Sequence, residues 1–277
     1  MRLLVTGAAG LIGSAVAARL RGAHEVVGLD LRRGPQVERR GDIREPIDLT
    51  GFDAVVHVAA LHAPHVGLAE DAEFRSVNVN ATRSLLDAAL SAGVGRFVFT
   101  SSTSVYGHAL EPAEGRAAWI DENVEPQPRD IYDETKLEAE TLVRTAGLDA
   151  TILRMSRCFP EPLPDMALYR LYRGIDRRDV AEAHAIALVG APGTYLISAE
   201  TPFEPEDREI LMHDAARVIR RRAPDVAAEF DRRFWPLPRA IGRIYSPARA
   251  VPELGFSMGY GAASVLAGDC DPVPRPG

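Results

Sequence analysis

The first half of the chain alternates short apolar runs with longer stretches in which apolar residues recur at helical spacing. This alternation predicts an α/β fold in which helices cover both faces of a parallel sheet. The predicted strands are Arg2–Thr6, Glu25–Asp30, Ala54–Ala59, Arg96–Ser101, Ala150–Arg154 and Thr194–Ile197, and the predicted helices are Leu11–Leu20, Asn78–Leu90, Ile131–Thr145 and Asp179–Leu188.

The pattern changes near Phe159, where the chain becomes rich in proline. A helix is expected over Asp207–Arg222, followed by a second irregular, proline-containing stretch. We therefore expect a first domain over residues 1–158 and a small lobe over 159–268, interleaved with sheet elements that return at about 178–198. The tail over residues 269–277 is expected to be disordered.

Composition narrows the class of protein. The 277 residues are 46% hydrophobic and 26% charged, which is typical of a globular protein. The net charge of −7 argues against nucleic acid as a partner, and no membrane span or signal peptide is predicted. Two cysteines, Cys158 and Cys270, fit a reducing compartment, so a cytoplasmic location is predicted. No metal site is predicted.

A glycine-rich turn follows the first predicted strand and opens the first predicted helix. Its glycines are Gly7, Gly10 and Gly13. Because glycine has no side chain, these positions allow a tight turn, close approach of a pyrophosphate to the backbone, and close packing of the helix on the strand. The helix that begins near Leu11 would direct its free N–H groups at the phosphates. The turn therefore predicts a dinucleotide site.

Acidic residues further along the chain refine this prediction. Asp30 ends the second predicted strand, where a carboxylate can accept hydrogen bonds from the adenosine ribose and would repel a ribose phosphate. NAD is therefore favoured over NADP, although Arg32 and Arg33 could reach such a phosphate. Asp42 and Ile43 are predicted to hold the adenine; the alternative for Asp42 is a plain turn residue.

Tyr132 and Lys136 lie four residues apart, on one face of a predicted helix. A nearby ammonium should lower the pKa of the tyrosine and favour acid/base catalysis, and it can also hold the nicotinamide ribose. Ser102, at the end of a predicted strand, is the candidate hydroxyl that polarises the substrate oxygen. Such a pair also occurs by coincidence on many helices, but here it accompanies the glycine turn. The combination predicts hydride transfer between a nicotinamide and a carbinol carbon.

Together these motifs resemble the extended short-chain dehydrogenase/reductase family, the NAD-dependent epimerases and dehydratases of sugars. The likeness spans Met1 to Leu188 and implies a Rossmann-type doubly wound parallel sheet with a small, interleaved C-terminal substrate lobe. The motifs that carry it are Thr6–Gly13, Asp30, Val55–Ala60, Asn78–Thr82, Thr100–Gly107, Tyr132–Lys136 and Leu153-Arg154.

The resemblance also implies roles for individual residues. Ser102 and Tyr132 would handle the substrate proton, Lys136 would tune Tyr132, and Asn78 would support the cofactor or a proton-relay water. His57 is more typical of a packed strand residue, whereas His62 and His65 would face either the pocket or solvent. The implied cofactor-binding set is Gly7, Gly10, Leu11, Ile12, Gly13, Asp30, Asp42, Ile43, Val58, Ala59, Ala60, Tyr132, Lys136 and Met155, and the substrate set is Ser102, Thr103, Tyr132, Arg157 and His62.

Three departures from the family bear on the substrate. Thr103-Ser104 replaces the Asp-Glu pair of the dehydratases, which disfavours dehydration. Arg157 replaces an asparagine typical of nucleotide-sugar enzymes, and would either bind a carboxylate or phosphate or form a salt bridge with Glu161 or Asp165. The segment over 160–179 is short, which favours a smaller substrate.

The sequence over 159–162 also resembles uronate dehydrogenases, although those enzymes generally lack the ending Val105-Tyr106-Gly107. The predicted function is that of an NAD-dependent oxidoreductase of a small sugar-like or sugar-acid substrate. An epimerase with tightly held NAD is the first alternative, and a non-catalytic nucleotide-sensing protein is the second. By family expectation the protein would be a homodimer formed through the helices Asn78–Leu90 and Ile131–Thr145.

Overall fold

The computed structural model describes residues 1–270. Their strands are β1 (Arg2–Thr6), β2 (Glu25–Asp30), β3 (Arg39–Arg40), β4 (Ala54–His57), β5 (Arg96–Ser102), β6 (Ala118–Ile120), β7 (Ala150–Met155), β8 (Gly193–Ile197) and β9 (Arg243–Tyr245). Within these residues, seven strands form one parallel sheet in the order β3-β2-β1-β4-β5-β7-β8, and β6 pairs with β9 in a small second sheet. The predicted doubly wound parallel sheet is confirmed.

Helices follow most of the strands. They are α1 (Leu11–Leu20), α2 (Asp71–Phe74), α3 (Ala81–Ala92), α4 (Ile131–Thr145), α5 (Leu163–Tyr169), α6 (Arg177–Ala187), α7 (Arg208–Leu211), α8 (Ala215–Arg222), α9 (Pro224–Arg232), α10 (Ala250–Leu254) and α11 (Ala262–Leu266). Short 3₁₀ segments lie at Ala63–His65, Thr103–Leu110 and Pro205–Asp207, and Arg75–Asn80 is π-helical. None of the helices described combines the length and apolar character that crossing a membrane requires.

The sheet separates two hydrophobic cores. One face packs on α1 and α6, and the other packs on α3 and α4. A third core joins α5, α8, α9 and α11 to β9 and forms the C-terminal lobe. Ala117 also lies in this third core, so a segment that precedes the boundary predicted at residue 158 contributes to the lobe.

The strand order reverses beside β1, and this reversal positions the candidate site. The chain passes from β1 outward to β2 and β3, and then returns to place β4 on the other side of β1. In open parallel sheets, ligands bind in the crevice at the carboxyl ends of the strands at such a switch point. The glycine turn after β1 and the segment after β4 both lie there.

Two predicted helices are interrupted. The helix expected over Asn78–Leu90 begins as the π-helical turn that contains Asn78, and the regular helix starts at Ala81. The helix expected over Asp207–Arg222 breaks between Leu211 and Ala215, where the Asp214 side chain accepts a hydrogen bond from Arg217 N and caps a new helix.

Most of the tail predicted to be disordered, residues 271–277, lies outside the described residues. Asp269 is described, and its carboxylate accepts a hydrogen bond of 2.6 Å from Arg178 Nη1. This contact fixes the end of the described chain against the start of α6.

Candidate active site

A cavity of about 750 Å³ opens at the switch point, and we call it the cleft. Every residue predicted to bind cofactor or substrate lines it: Gly7, Gly10, Leu11, Ile12, Gly13, Asp30, Asp42, Ile43, Val58, Ala59, Ala60, His62, Ser102, Thr103, Tyr132, Lys136, Met155 and Arg157. Asn78, which was predicted to support the cofactor or a proton-relay water, does not line the cleft. The fold therefore brings the glycine turn and the serine–tyrosine–lysine set into one space.

The glycine turn is held by contacts that leave no room for side chains. Gly7 has a φ of +73°, and a Cβ there would lie 2.8 Å from Ala59 N. A Cβ on Gly13 would lie 2.0 Å from Gly7 O. The first turn of α1 has no side-chain cap, and its residues line the cleft, so its amide groups are available to phosphate oxygens. These features fit a dinucleotide pyrophosphate.

Asp30 lies at the end of β2, next to the turn. Its carboxylate accepts hydrogen bonds from Ala9 N at 3.0 Å and from Arg32 N at 2.8 Å, and it still lines the cleft. The Arg32 side chain is 72% exposed, with its Nε 3.8 Å from Asp30. The carboxylate is thus bonded to the turn, whereas the guanidinium is mostly exposed, which fits a free ribose hydroxyl better than a phosphate.

Asp42 lines the cleft but is also a turn residue. Its carboxylate binds Arg44 through the backbone N at 2.9 Å and through the guanidinium at 2.5 Å, and this pairing lowers the pKa of Asp42. The turn alternative therefore describes its local role, while contact with adenine stays a prediction.

Tyr132 and Lys136 project from the first turns of α4. The Asp130 side chain caps this helix by accepting a hydrogen bond from Asp133 N at 2.9 Å, which begins the helix directly before Tyr132. Lys136 Nζ donates a hydrogen bond of 2.6 Å to Thr100 O and lies 4.1 Å from the centre of the Phe99 ring. The lysine is thereby fixed against the carboxyl end of β5.

Burial dominates the electrostatics of these two residues. It raises the pKa of Tyr132 to about 12, while a hydrogen bond with the Ser102 side chain opposes the shift. It lowers the pKa of Lys136 to about 7, while the charge of Glu140 opposes that shift. The pKa of Tyr132 is therefore raised overall, where the sequence predicted a lowered value, because desolvation of the phenol is the largest effect. Stabilisation of the phenolate by a charged Lys136 stays a prediction.

Asn78 lies behind the wall of the cleft. It is 2% exposed, and its Oδ1 accepts a hydrogen bond from Leu61 N at 2.8 Å. Its Nδ2 donates to Leu61 O at 3.0 Å and to Thr135 Oγ1 at 3.1 Å. Asn78 thus fixes the segment after β4 to α4. Its support of the cofactor or of a proton-relay water stays a prediction.

His57 is a packed strand residue, as the sequence favoured. Thr6 Oγ1 and Thr82 Oγ1 lie 2.7 and 2.9 Å from its two ring nitrogens. Because the Thr82 hydroxyl donates to Asn78 O, His57 Nε2 is the donor to Thr82 and Nδ1 accepts from Thr6. Burial lowers the pKa of His57 to about 3, so the ring is neutral.

The far wall of the cleft is rich in arginine. Arg157 forms a bidentate salt bridge with Glu161, at 2.8 and 2.5 Å, while it still lines the cleft. Arg173 stacks on Tyr169, with 4.1 Å between its Cζ and the ring centre, and Arg243 reaches the wall from β9. Within the described residues, neither Arg173 nor Arg243 forms an ion pair, and Arg173 Nε has no hydrogen-bond partner.

Sequence reasoning missed Arg173 and Arg243. Two backbone hydrogen bonds bring both arginines to the wall of the cleft. Arg157 N donates to Arg173 O at 3.1 Å, and Tyr245 N, two residues after Arg243, donates to Tyr172 O at 2.8 Å. These contacts bring β9 and the chain after α5 to the end of β7. No periodic pattern marks a three-residue strand such as β9.

His62 also lies at this wall, stacked on Phe159 with 6.4 Å between the ring centres.

Comparison with known proteins agrees with this geometry. The profile of the NAD dependent epimerase/dehydratase family matches residues 3–191. The chain belongs to this family. Its sheet and its glycine turn thus lie within the part of the chain that matches a family of NAD-dependent enzymes.

Two UDP-glucose 4-epimerases are among its relatives. The protein of Klebsiella pneumoniae is 37% identical over 129 residues, which cover 39% of this chain and 93% of that sequence. The protein of Corynebacterium glutamicum is 33% identical over 171 residues, or 56% of this chain. This second match spans only half the length of the relative.

A solved structure extends the likeness over nearly the whole chain. A short-chain dehydrogenase/reductase superfamily protein of Agrobacterium tumefaciens, solved with bound NAD, superposes with a TM-score of 0.70 at 25% identity. The match covers 97% of this chain and 96% of that chain. The structural match therefore includes the C-terminal lobe as well as the parallel sheet.

The role of Asn78 in fixing the cleft wall is testable. We expect Asn78→Ala to lower the free energy of unfolding by about 1–2 kcal/mol, because it removes three hydrogen bonds and leaves part-buried backbone groups of Leu61 without their partner. The Leu61 amide should also exchange its hydrogen faster. Denaturant titration and hydrogen exchange measure the two effects, with the exposed Asn80→Ala as the control. Equal behaviour of the two variants would contradict the assignment.

Proposed function

We propose that the protein is an NAD-dependent oxidoreductase that transfers hydride between NAD and a carbinol or carbonyl carbon of a small, sugar-like substrate carrying a negative charge. One observation carries this proposal: Ser102, Tyr132 and Lys136 line the same cleft as the glycine turn and Asp30. Membership of an NAD-dependent family supports the choice of cofactor.

The residues of the cleft divide into those that hold the cofactor and those that handle the proton. The first turn of α1 would bind the pyrophosphate, Asp30 the adenosine ribose and Lys136 the nicotinamide ribose. When bound, NAD supplies the hydride acceptor. Met155 and Ala59 would enclose the nicotinamide, which keeps water from the reacting carbon.

Tyr132 would exchange the proton at its phenol oxygen, while Ser102 would orient the substrate oxygen. Because burial raises the pKa of Tyr132, the phenol is protonated at neutral pH and suits donation to a carbonyl oxygen. Oxidation of a carbinol needs the phenolate instead. A charged Lys136 would stabilise that form by its ammonium group.

The arginine wall supports an anionic substrate. Arg173 and Arg243 line the cleft without an ion pair among the described residues, and a guanidinium binds carboxylate or phosphate through paired hydrogen bonds. Arg157, in contrast, already binds Glu161. Thr103 and Ser104 occupy the positions beside Ser102, and hydroxyl groups there cannot act as the acid and base of dehydration. A sugar acid or a sugar phosphate fits these features.

Epimerisation is the second candidate, because both curated relatives described above carry that activity in their names. An epimerase returns the hydride to the opposite face of the same carbon, and the same serine, tyrosine and lysine could serve both reactions. The two differ in cofactor retention: an epimerase keeps its NAD through each cycle, whereas a dehydrogenase releases NADH.

The proton-transfer role is tested by Tyr132→Phe. This variant keeps the ring and removes the phenol, so turnover should fall on the order of a hundredfold or more, while NAD binding persists. Turnover is followed by NADH absorbance in a screen of sugar acids and sugar phosphates. Tyr260→Phe, which changes a tyrosine stacked under Arg178 away from the cleft, is the matched control. Near-normal turnover of Tyr132→Phe would exclude the mechanism.

The anion role is tested by Arg173→Gln. We expect the Kd for a bound anion to rise by about tenfold, because a charge-assisted hydrogen-bonding group is lost, while NAD affinity is unchanged. Calorimetry of the NAD-loaded protein with D-glucuronate and, separately, with UDP distinguishes a carboxylate from a diphosphate. Arg217→Gln, an exposed site outside the cleft, controls for net charge. An anion affinity equal to that of this control would refute the role.

A further inference from the structure

Glu140 is a buried carboxylate one helical turn beyond Lys136 on α4. It has 0% exposure and lies between α4, β5 and β7. An ionised carboxylate in such a place is costly unless donors surround it. No sequence motif used above accounts for its position.

Three side chains satisfy this carboxylate. Arg154 of β7 donates from Nε at 2.9 Å and from Nη2 at 2.7 Å, and Ser101 of β5 donates from Oγ at 2.6 Å. Arg144, one turn further along α4, donates from Nη1 at 3.0 Å. These bonds lower the pKa of Glu140, so it stays ionised at neutral pH despite its burial.

The carboxylate therefore fixes the segment of β5 that the active site uses. Thr100, Ser101 and Ser102 are consecutive: Thr100 O accepts the hydrogen bond of Lys136, Ser101 binds Glu140, and Ser102 lines the cleft. Glu140 thus holds Ser101, which lies between Thr100, the acceptor of the Lys136 hydrogen bond, and Ser102, the candidate catalytic hydroxyl. It does not line the cleft and touches no reacting atom.

Glu140 also acts on Lys136 through its charge. Lys136 contacts Thr100 O and the Phe99 ring, and it interacts electrostatically with the neutral His57 and with Glu140. Tyr132 lies one turn before it on the same helix. Burial lowers the pKa of Lys136, and Glu140 is the carboxylate that opposes this effect. Without it the lysine would lose its proton at a lower pH.

We propose that Glu140 is a positioning residue of the active site, which holds the end of β5 in register with α4 through Ser101 and places a negative charge one helical turn from Lys136. The proposal rests on the proposed function only for the roles of Ser102 and Lys136. The contacts of Glu140 stand independently of the substrate.

Lys136 is the single lysine of the chain, so its titration can be observed directly. Protein labelled with [¹³Cε]lysine gives one side-chain NMR signal, and its shift against pH reports the pKa of Lys136 without any substrate or turnover. Glu140→Gln alone would leave the Arg154 guanidinium buried without a counter-charge. The neutral pair Glu140→Gln/Arg154→Gln removes both charges together and retains hydrogen-bonding groups.

In this double variant the midpoint of the lysine titration should fall by up to about one pH unit, because the carboxylate that opposes the lowering of the lysine pKa is lost, whereas Arg154 is not among the groups that act on this pKa. The alkaline limb of the pH–rate profile should move to lower pH by a similar amount. Glu138→Gln, an exposed change on the same helix, should leave both unchanged. A lysine titration in the double variant identical to that of the unmodified protein would show that Glu140 has only a structural role.

Ser101→Ala tests the positioning part in a protein that keeps every charge. We expect kcat to fall by about tenfold with the lysine titration unchanged, because the end of β5 loses its hydrogen bond to Glu140 and is held to α4 only through Lys136. An unaltered kcat would overturn the positioning role. If Tyr132→Phe retained activity, the proposed function would fail, but the lysine titration would still decide whether Glu140 governs Lys136.

Discussion

The hydrogen bond from Lys136 Nζ to Thr100 O is the contact on which the candidate active site depends. It places an amine on the end of β5, and burial of both groups makes the bond strong while making the ammonium expensive to maintain. The neighbouring side chains reinforce it from both faces of the sheet. The Thr100 hydroxyl donates to His184 Nε2 of α6 at 2.7 Å, and the Ser101 hydroxyl donates to Glu140 of α4.

A second set of buried polar contacts holds the cofactor end of the cleft. The Thr6 hydroxyl accepts hydrogen bonds from Val58 N and Ala59 N at 3.1 and 3.2 Å, where β4 has ended, and it lies against His57. The same histidine connects to the π-helical turn through Thr82. The segment after β4 is therefore closed onto the glycine turn by side chains that do not contact the cleft. Both histidines of these networks, His57 and His184, are neutral because burial lowers their pKa to about 3 and about 4.

The sequence predicted the strands and helices whose bounds are set by neighbouring residues along the chain. β1, β2, α1 and α4 have the predicted bounds, because apolar periodicity, a glycine turn and a capping aspartate each mark them within a few residues. The predicted cleft residues converge because parallel strands bring their carboxyl ends to one edge. Homodimer formation and a cytoplasmic location remain predictions of the sequence.

Other features depend on packing between distant segments. The π-helical turn turns Asn78 towards Leu61, and nothing in the spacing of apolar residues distinguishes it from a regular helix. Arg243 reaches the cleft through a three-residue strand paired with β6. The pKa of Tyr132 rises because its side chain is buried, and the spacing of residues along a helix does not predict that burial.

The central claim is that this cleft binds NAD for hydride transfer. The most direct test is to denature freshly purified protein, identify any released nucleotide, and titrate the emptied protein with NAD and with NADP by calorimetry. The account predicts one NAD bound per chain, with NADP at least about tenfold weaker because the Asp30 carboxylate in the cleft would repel the phosphate on the NADP ribose. Binding of neither nucleotide, or tighter binding of NADP, would contradict it.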